Sequence, residues 1–193
     1  DPALQAHVNE VGQKVAAASH QPSLAWHFTV LDDPAVNAFA MPGGYIYVTR
    51  GILAHLNSEA QLAGVLGHEI GHVTSRHSAQ QLTQQQLYGL GLGVASIASK
   101  TVAKYSDLAQ QGLSLLFLKY SRDDERESDE LSVSYAAAAG YDPREIPPTY
   151  EMLQRLGVGS GSRLPGFLST HPDPGDRVNP TAALAKQAAQ GKS

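Results

Sequence analysis

In the segment Leu66-Gly67-His68-Glu69-Ile70-Gly71-His72-Val73, two histidines stand four residues apart with a glutamate directly after the first. Leu62, Val65, Leu66, Ile70 and Val73 recur at helical spacing, and Ser58-x-x-Gln61 opens the run as a capping box. That pattern predicts a helix from Ser58 through His77, so His68 and His72 share one face a turn apart. Two imidazoles so placed can bind one tetrahedral Zn²⁺, with Glu69 beside an open position for water. Gly64, Gly67 and Gly71 interrupt the same helix, each at about 1 kcal/mol relative to Ala. So much glycine predicts a neighbouring element at close approach.

A hydrolytic zinc site needs a third protein ligand. A third histidine six residues after His72 would complete one common pattern, but that position is Ser78, and Ser75 stands where the pattern needs Gly. His77 is five residues on, so an unbroken helix points it away from the shared face. A carboxylate from a separate helix remains, with Glu125, Glu127, Glu130, Glu145 and Glu151 as candidates. Glu125 and Asp129 form an (i, i+4) pair near a helix start, so one can reach the metal while the other accepts a hydrogen bond from a ligand imidazole. Spacing alone leaves the choice open, because acidic residues in a first helical turn also serve the helix dipole.

The elements that must position these groups follow from periodicity. Leu4, Val8, Val11 and Val15 mark a helix over Ala3 to Ala18. Leu24 to Leu31, Val36 to Ala40 and Tyr45 to Thr49 read as three strands, the last two joined by Pro42-Gly43-Gly44. Beyond them the chain turns helical: Gln80 to Lys100, Lys104 to Leu118, Ser121 to about Ala139 stopped by Gly140, and a helix from Asp142-Pro143 to near Gly157. A flexible loop over Gly157 to Gly166 follows, then a last helix from Asp173-Pro174 that Asn179-Pro180 should break. The fold class is α+β, mostly helical, with one small three-stranded sheet and a single domain over 1–193.

Composition removes other classes. The 193 residues are 42% hydrophobic and 17% charged, as in globular proteins. A net charge of -4 gives no basic field for a nucleic-acid backbone. With no cysteine, disulfide scaffolds, thiolate metal sites and cysteine nucleophiles are excluded. The longest apolar run, Leu87 to Ile97, is too short to span a bilayer. The Gly89 to Gly93 run has no phosphate-loop context and reads as close helix packing. The chain opens on Asp1-Pro2 without an initiator Met, which reads as a mature or trimmed chain whose removed leader or anchor would bring it near a membrane.

Four blocks, in order, carry a resemblance: Asn37-Ala38-Phe39, Pro42-Gly43-Gly44-Tyr45-Ile46, His68-Glu69-Ile70-Gly71-His72 and Ser121 to Asp129. Together they resemble the zinc metallopeptidases of the CAAX prenyl endopeptidase and HtpX type, in their soluble bacterial periplasmic branch. The likeness runs from about Asn37 to Arg177, with Ser128 where the family's Glu-x-x-Ala-Asp element has Ala. It implies a gluzincin fold, Glu125 as third zinc ligand, and Asp129 as its support or a proton donor. It also implies an edge strand at Asn37–Ala40 that pairs with an extended protein or peptide substrate, and a periplasmic or cell-envelope location, with a lipid anchor as one form of the leader. Ser169-Thr170-His171-Pro172 and Arg177 match a late element of that family. In some members this histidine takes the fourth metal position and holds the enzyme inactive. Arg177 would steady a carboxylate or an oxyanion.

The expected activity is zinc-dependent endopeptidase chemistry on extended or unfolded segments, with Glu69 as general base. The alternative is a zinc-binding module of the same shape that holds unfolded clients with little cleavage.

Overall fold

The computed structural model describes residues 1–81, 83, 119–159, 166–171 and 174–191. The expected helix over Lys104–Leu118, nearly all of that over Gln80–Lys100, the Gly89–Gly93 run and most of the expected 157–166 loop lie outside the described residues. Helix α1 (Pro2–Ala17) is capped by the Asp1 carboxylate and buries Val8, Val11 and Val15. Three strands follow: β1 (His27–Leu31), β2 (Ala38–Met41) and β3 (Tyr45–Thr49). The short α2 (Arg50–Leu53) leads into α3 (Glu59–Thr74), which carries the His-Glu-x-x-His segment. After residues 77–81, again helical, come α4 (Arg122–Ala138), a 3-10 turn (Pro143–Glu145), α5 (Ile146–Gly159), α6 (Gly166–Thr170) and α7 (Pro174–Gln190). No helix among the described residues is long and apolar enough to cross a membrane.

The sheet order is β1-β3-β2, with β1 parallel and β2 antiparallel to β3. Alternation sends Phe28, Ile46, Val48, Ala38 and Ala40 into the core. The opposite face carries cross-strand ring stacks, His27 on Tyr45 and Phe39 on Tyr47. The two sheet edges differ. The outer edge of β1 is met by α1, where the Gln5 side chain donates to Phe28 O at 2.8 Å and accepts from Val30 N at 2.9 Å. Among the described residues, no side chain is seen to bond the outer edge of β2 in this way, although the short helix α6 lies near that strand.

Helix α3 is buried on every side from Gln61 to His72, not along a stripe. One flank meets the sheet and α1, and the other meets α4. The glycines make the second contact close. A Cβ on Gly67 would stand 3.3 Å from Ser132 Cα, and one on Gly71 would stand 3.2 Å from Ser128 Cα. The two helices that carry the chemistry therefore run nearly backbone to backbone, as the glycine spacing implied.

Several expected boundaries move. Strand β1 starts at His27, because Leu24 closes a turn on Gln21 O. Ser58 accepts from Gln61 N, but the Gln61 side chain bonds Asn57 N, so the capping box is closed one residue earlier. Helix α3 ends at Thr74, not His77. By contrast the Ser121–Asp124 capping box of α4 is reciprocal. Helix α5 reaches Gly159. Pro180 does not break α7, since Arg177 before it and Thr181 and Ala185 after it are buried, and packing holds the helix on both sides.

Candidate metal centre

Helix α3 presents His68, Glu69 and His72 to α4, which returns Glu125 and Asp129 one turn apart. The end of α6 brings His171, and the first turn of α7 brings Arg177. One ligand atom each from His68, His72, Glu125 and His171 falls within 4.8 Å of the other three. The Nε2 atoms of His68 and His72 are 3.0 Å apart. Glu125 Oε1 lies 2.8 Å from His171 Nδ1 and 3.5 Å from His72 Nε2. All four residues are at most 2% exposed.

Three imidazoles and a carboxylate buried in mutual contact cannot satisfy one another with protons alone. Both oxygens of Glu69 and Nε2 of His171 find no hydrogen-bond partner among the described residues. Such orphans are rare in a folded interior unless something else engages them. An N₃O donor set without sulfur suits a borderline divalent cation in four-coordinate geometry. The donor atoms converge on one point, so the residues present fit a metal ion.

A second layer holds the first. Asp129 stands 3.0 Å from His68 Nδ1, receives the Tyr150 hydroxyl, and pairs with Arg177 through Nε at 2.7 Å and through Nη2. An acceptor on Nδ1 leaves the His68 Nε2 lone pair free for a ligand position. Arg177 also ion-pairs with Glu125 through Nη1, and its guanidinium stacks 4.4 Å over the Tyr150 ring. Three of its nitrogens thus face the two carboxylates.

Burial opposes ionisation of Asp129, but Arg177 overcomes it and holds the carboxyl down to about 2. Glu125 is likewise held well below the usual range against its burial, by His171 and Arg177. Burial pushes Glu69 up, with the nearby His171 partly offsetting it. Burial pushes His72 well down. For His171, burial alone would act downward, but the Glu125 and Glu69 carboxylates prevail and raise it.

The structure thus brings together His68, Glu69, His72, Glu125, Asp129, His171 and Arg177, while Glu127, Glu130, Glu145 and Glu151 stay outside the cluster. One expectation is overturned. His77 does not point away; its Nδ1 is 2.9 Å from His72 Nδ1, because α3 has already ended and the chain has turned. Sequence reasoning also missed three aromatic residues. Tyr120 stacks on His72 at 3.8 Å between ring centroids, Phe167 stacks on His171 at 4.3 Å, and Tyr150 bonds Asp129. Tyr120 lies beside an element that carries a site residue, Phe167 lies on one that precedes a site residue, and Tyr150 has no such sequence signal.

Comparison with known proteins agrees with this geometry. The model of peptidase family M48 matches residues 2–185. The chain is 40% identical over 159 residues to the mitochondrial metalloendopeptidase OMA1 of Arabidopsis thaliana, covering 81% of this chain and 31% of that protein. It is 29% identical over 197 residues to the beta-barrel assembly-enhancing protease of Escherichia coli (strain K12), covering 97% and 40%. With the OMA1 metalloendopeptidase of Schizosaccharomyces pombe it shares 31% over 173 residues, covering 89% and 50%. The chain therefore spans a third to a half of these relatives. A match this long, over a buried cluster fit for a metal ion, places the chain in peptidase family M48.

Proposed function

We propose that the chain is a zinc metalloendopeptidase that cuts extended or unfolded protein segments, a single domain over 1–193 of the gluzincin, CAAX-peptidase and HtpX type. The observation that carries this reading is the orphaned Glu69 carboxylate, buried beside the convergent His68, His72 and Glu125. Those three residues would hold the ion. Bound zinc would supply Lewis acidity toward water and a peptide carbonyl. Glu69, with no competing hydrogen bond, accepts the proton of the attacking water and returns it to the leaving amine. Asp129 fixes His68, and Arg177 fixes both carboxylates.

The substrate would add to the outer edge of β2. Asn37 O accepts from Thr49 N, so residues 37, 39 and 41 pair inward, and the N–H and C=O groups of Ala38 and Ala40 face outward. A peptide strand bonding there would run along the sheet toward the metal, which is recognition by β-addition. A cavity of about 300 Å³ between Leu24, Pro42, Gly43 and His72 could take one side chain.

His171 is the fourth member of the donor cluster, which favours a site closed at rest. Its segment is tied to the residues leading into the edge strand by Phe167 N to Val36 O at 3.0 Å, so opening the fourth position and admitting a strand would be one motion. A domain that holds clients and cleaves little would rest in the same closed arrangement. Relatives named beta-barrel assembly-enhancing protease support a cell-envelope or periplasmic setting for this chain.

The test has two parts. Elemental mass spectrometry on wild type and Glu125→Ala should give near one zinc per chain, much reduced in the variant. Cleavage of a reduced, carboxymethylated protein by the zinc form should be lost in Glu69→Gln, by roughly 10²–10⁴-fold, with zinc retained. Full cleavage by Glu69→Gln would sink the proposed base, and trapping without cleavage by wild type would favour the client-holding alternative.

A further inference from the structure

The two α3 histidines are held from behind in different ways. His68 has the Asp129 carboxylate at Nδ1. His72 has another imidazole, His77, at 2.9 Å. On an unbroken helix a residue five positions on would be rotated by about 140°. It comes back because Arg76, with φ 60, is the one non-glycine residue in the left-handed region among the described residues. That conformation costs roughly 1–2 kcal/mol, so the turn is held by what it achieves. What it achieves is a histidine 2% exposed, in contact with His72 and near Ser128.

The hydrogen-bond polarity is fixed by the metal side. For His72 Nε2 to offer a lone pair toward Glu125 and His68, the proton must sit on Nδ1. His77 Nδ1 is then the acceptor, and its own proton lies on Nε2. That atom faces Glu127 Oε2 at 3.5 Å and Asp124 Oδ1 at 3.7 Å. Both carboxylates are themselves fixed: Ser75 Oγ donates to Glu127 Oε1 at 2.6 Å, and Ser121 N donates to Asp124 Oδ2 at 3.0 Å. The acidic start of α4 therefore divides its work. Glu125 faces the donor cluster, while Asp124 and Glu127 face His77.

We infer that His77 is a positioning residue: accepting the Nδ1–H of His72, with Asp124 and Glu127 behind it, it fixes the tautomer and ring angle that let His72 bind metal. This rests on the metal reading above. The discriminating set is His77→Asn, whose Oδ1 falls close to the position of the lost Nδ1, against His77→Leu, which fills the volume but accepts nothing. Zinc affinity is read by chelator competition, and the visible spectrum of the cobalt-substituted protein reports ligand geometry. His77→Leu should bind zinc about 10–100-fold more weakly with an altered cobalt spectrum, and His77→Asn should recover most of that loss. Glu127→Gln, at an exposed side chain, should leave the fold intact and weaken zinc several-fold. Equal zinc affinity in His77→Leu and wild type would overturn the inference while leaving the metal centre standing. Equal losses in Leu and Asn would reduce His77 to packing. If wild type binds no zinc, both readings fall together.

Discussion

The close contact of α3 with α4 makes Gly71→Ala an informative substitution. On an open helix the change would stabilise by about 1 kcal/mol, through the lower backbone entropy of Ala. Here the new Cβ would stand 3.2 Å from Ser128 Cα and 3.4 Å from the Cβ atoms of Ser128 and Leu131. Carbon atoms prefer about 3.5–4.0 Å, and the nearest neighbour is backbone, so the helices must part by a few tenths of an ångström. Overpacking of this kind costs roughly 1–3 kcal/mol. The balance is a loss of about 1 kcal/mol, or ~3 °C in Tm for a chain of this size. The larger effect should fall on metal binding, because Ser128 moves together with Glu125 and Asp129 on the same face of α4. Metal–ligand distances tolerate only about 0.2 Å. Calorimetry of the metal-free protein and chelator competition for zinc read the two effects separately. A Gly71→Ala protein more stable than wild type by the full propensity gain, with unchanged zinc affinity, would refute the packing argument.

Three further outcomes follow from the same geometry. His171→Ala, by removing the fourth donor, should raise peptidase turnover at saturating zinc; a fall in turnover with zinc retained would show instead that His171 serves the reaction. Tyr150→Phe removes a buried donor to the Asp129 carboxylate and should lower stability by about 1.5–3 kcal/mol in urea unfolding. A change within error would mean that Arg177 alone holds Asp129. In a peptide substrate, N-methylation of the amides placed opposite Ala38 and Ala40 should raise KM, while methylation of the intervening amide should not. Equal effects at all positions would remove β2 as the binding edge.

The chemistry of this chain was largely legible in its sequence. His68, Glu69 and His72 lie within five residues on one helix, where the 3.6-residue period fixes their relations without reference to the rest of the molecule. The three strands, the Ser121 cap and the Gly140 stop are local in the same sense, set by residue type and near neighbours. The glycines of α3 announced a close neighbour but not its identity. Spacing likewise narrowed the third carboxylate to five glutamates without choosing, because that choice depends on which face of α4 meets α3, and the contact spans 53 residues between His72 and Glu125.

Only the tertiary structure decided the remainder. His77 fell on the wrong side of the sequence argument because one left-handed residue, Arg76, redirects the chain, and nothing in an Arg side chain signals that conformation. Arg177 and Tyr150 converge on Asp129 from α7 and α5, and Tyr120 stacks on His72 from a segment 48 residues along the chain. Pro180 sits inside a continuous helix for a related reason, since burial on both sides outweighs a local preference to break. The sequence by itself determined which groups could bind a metal and move a proton, because those are properties of residue type and helical spacing. The fold decided which carboxylate joins them and which acceptors set each imidazole, because these depend on contacts between segments that local preference does not specify.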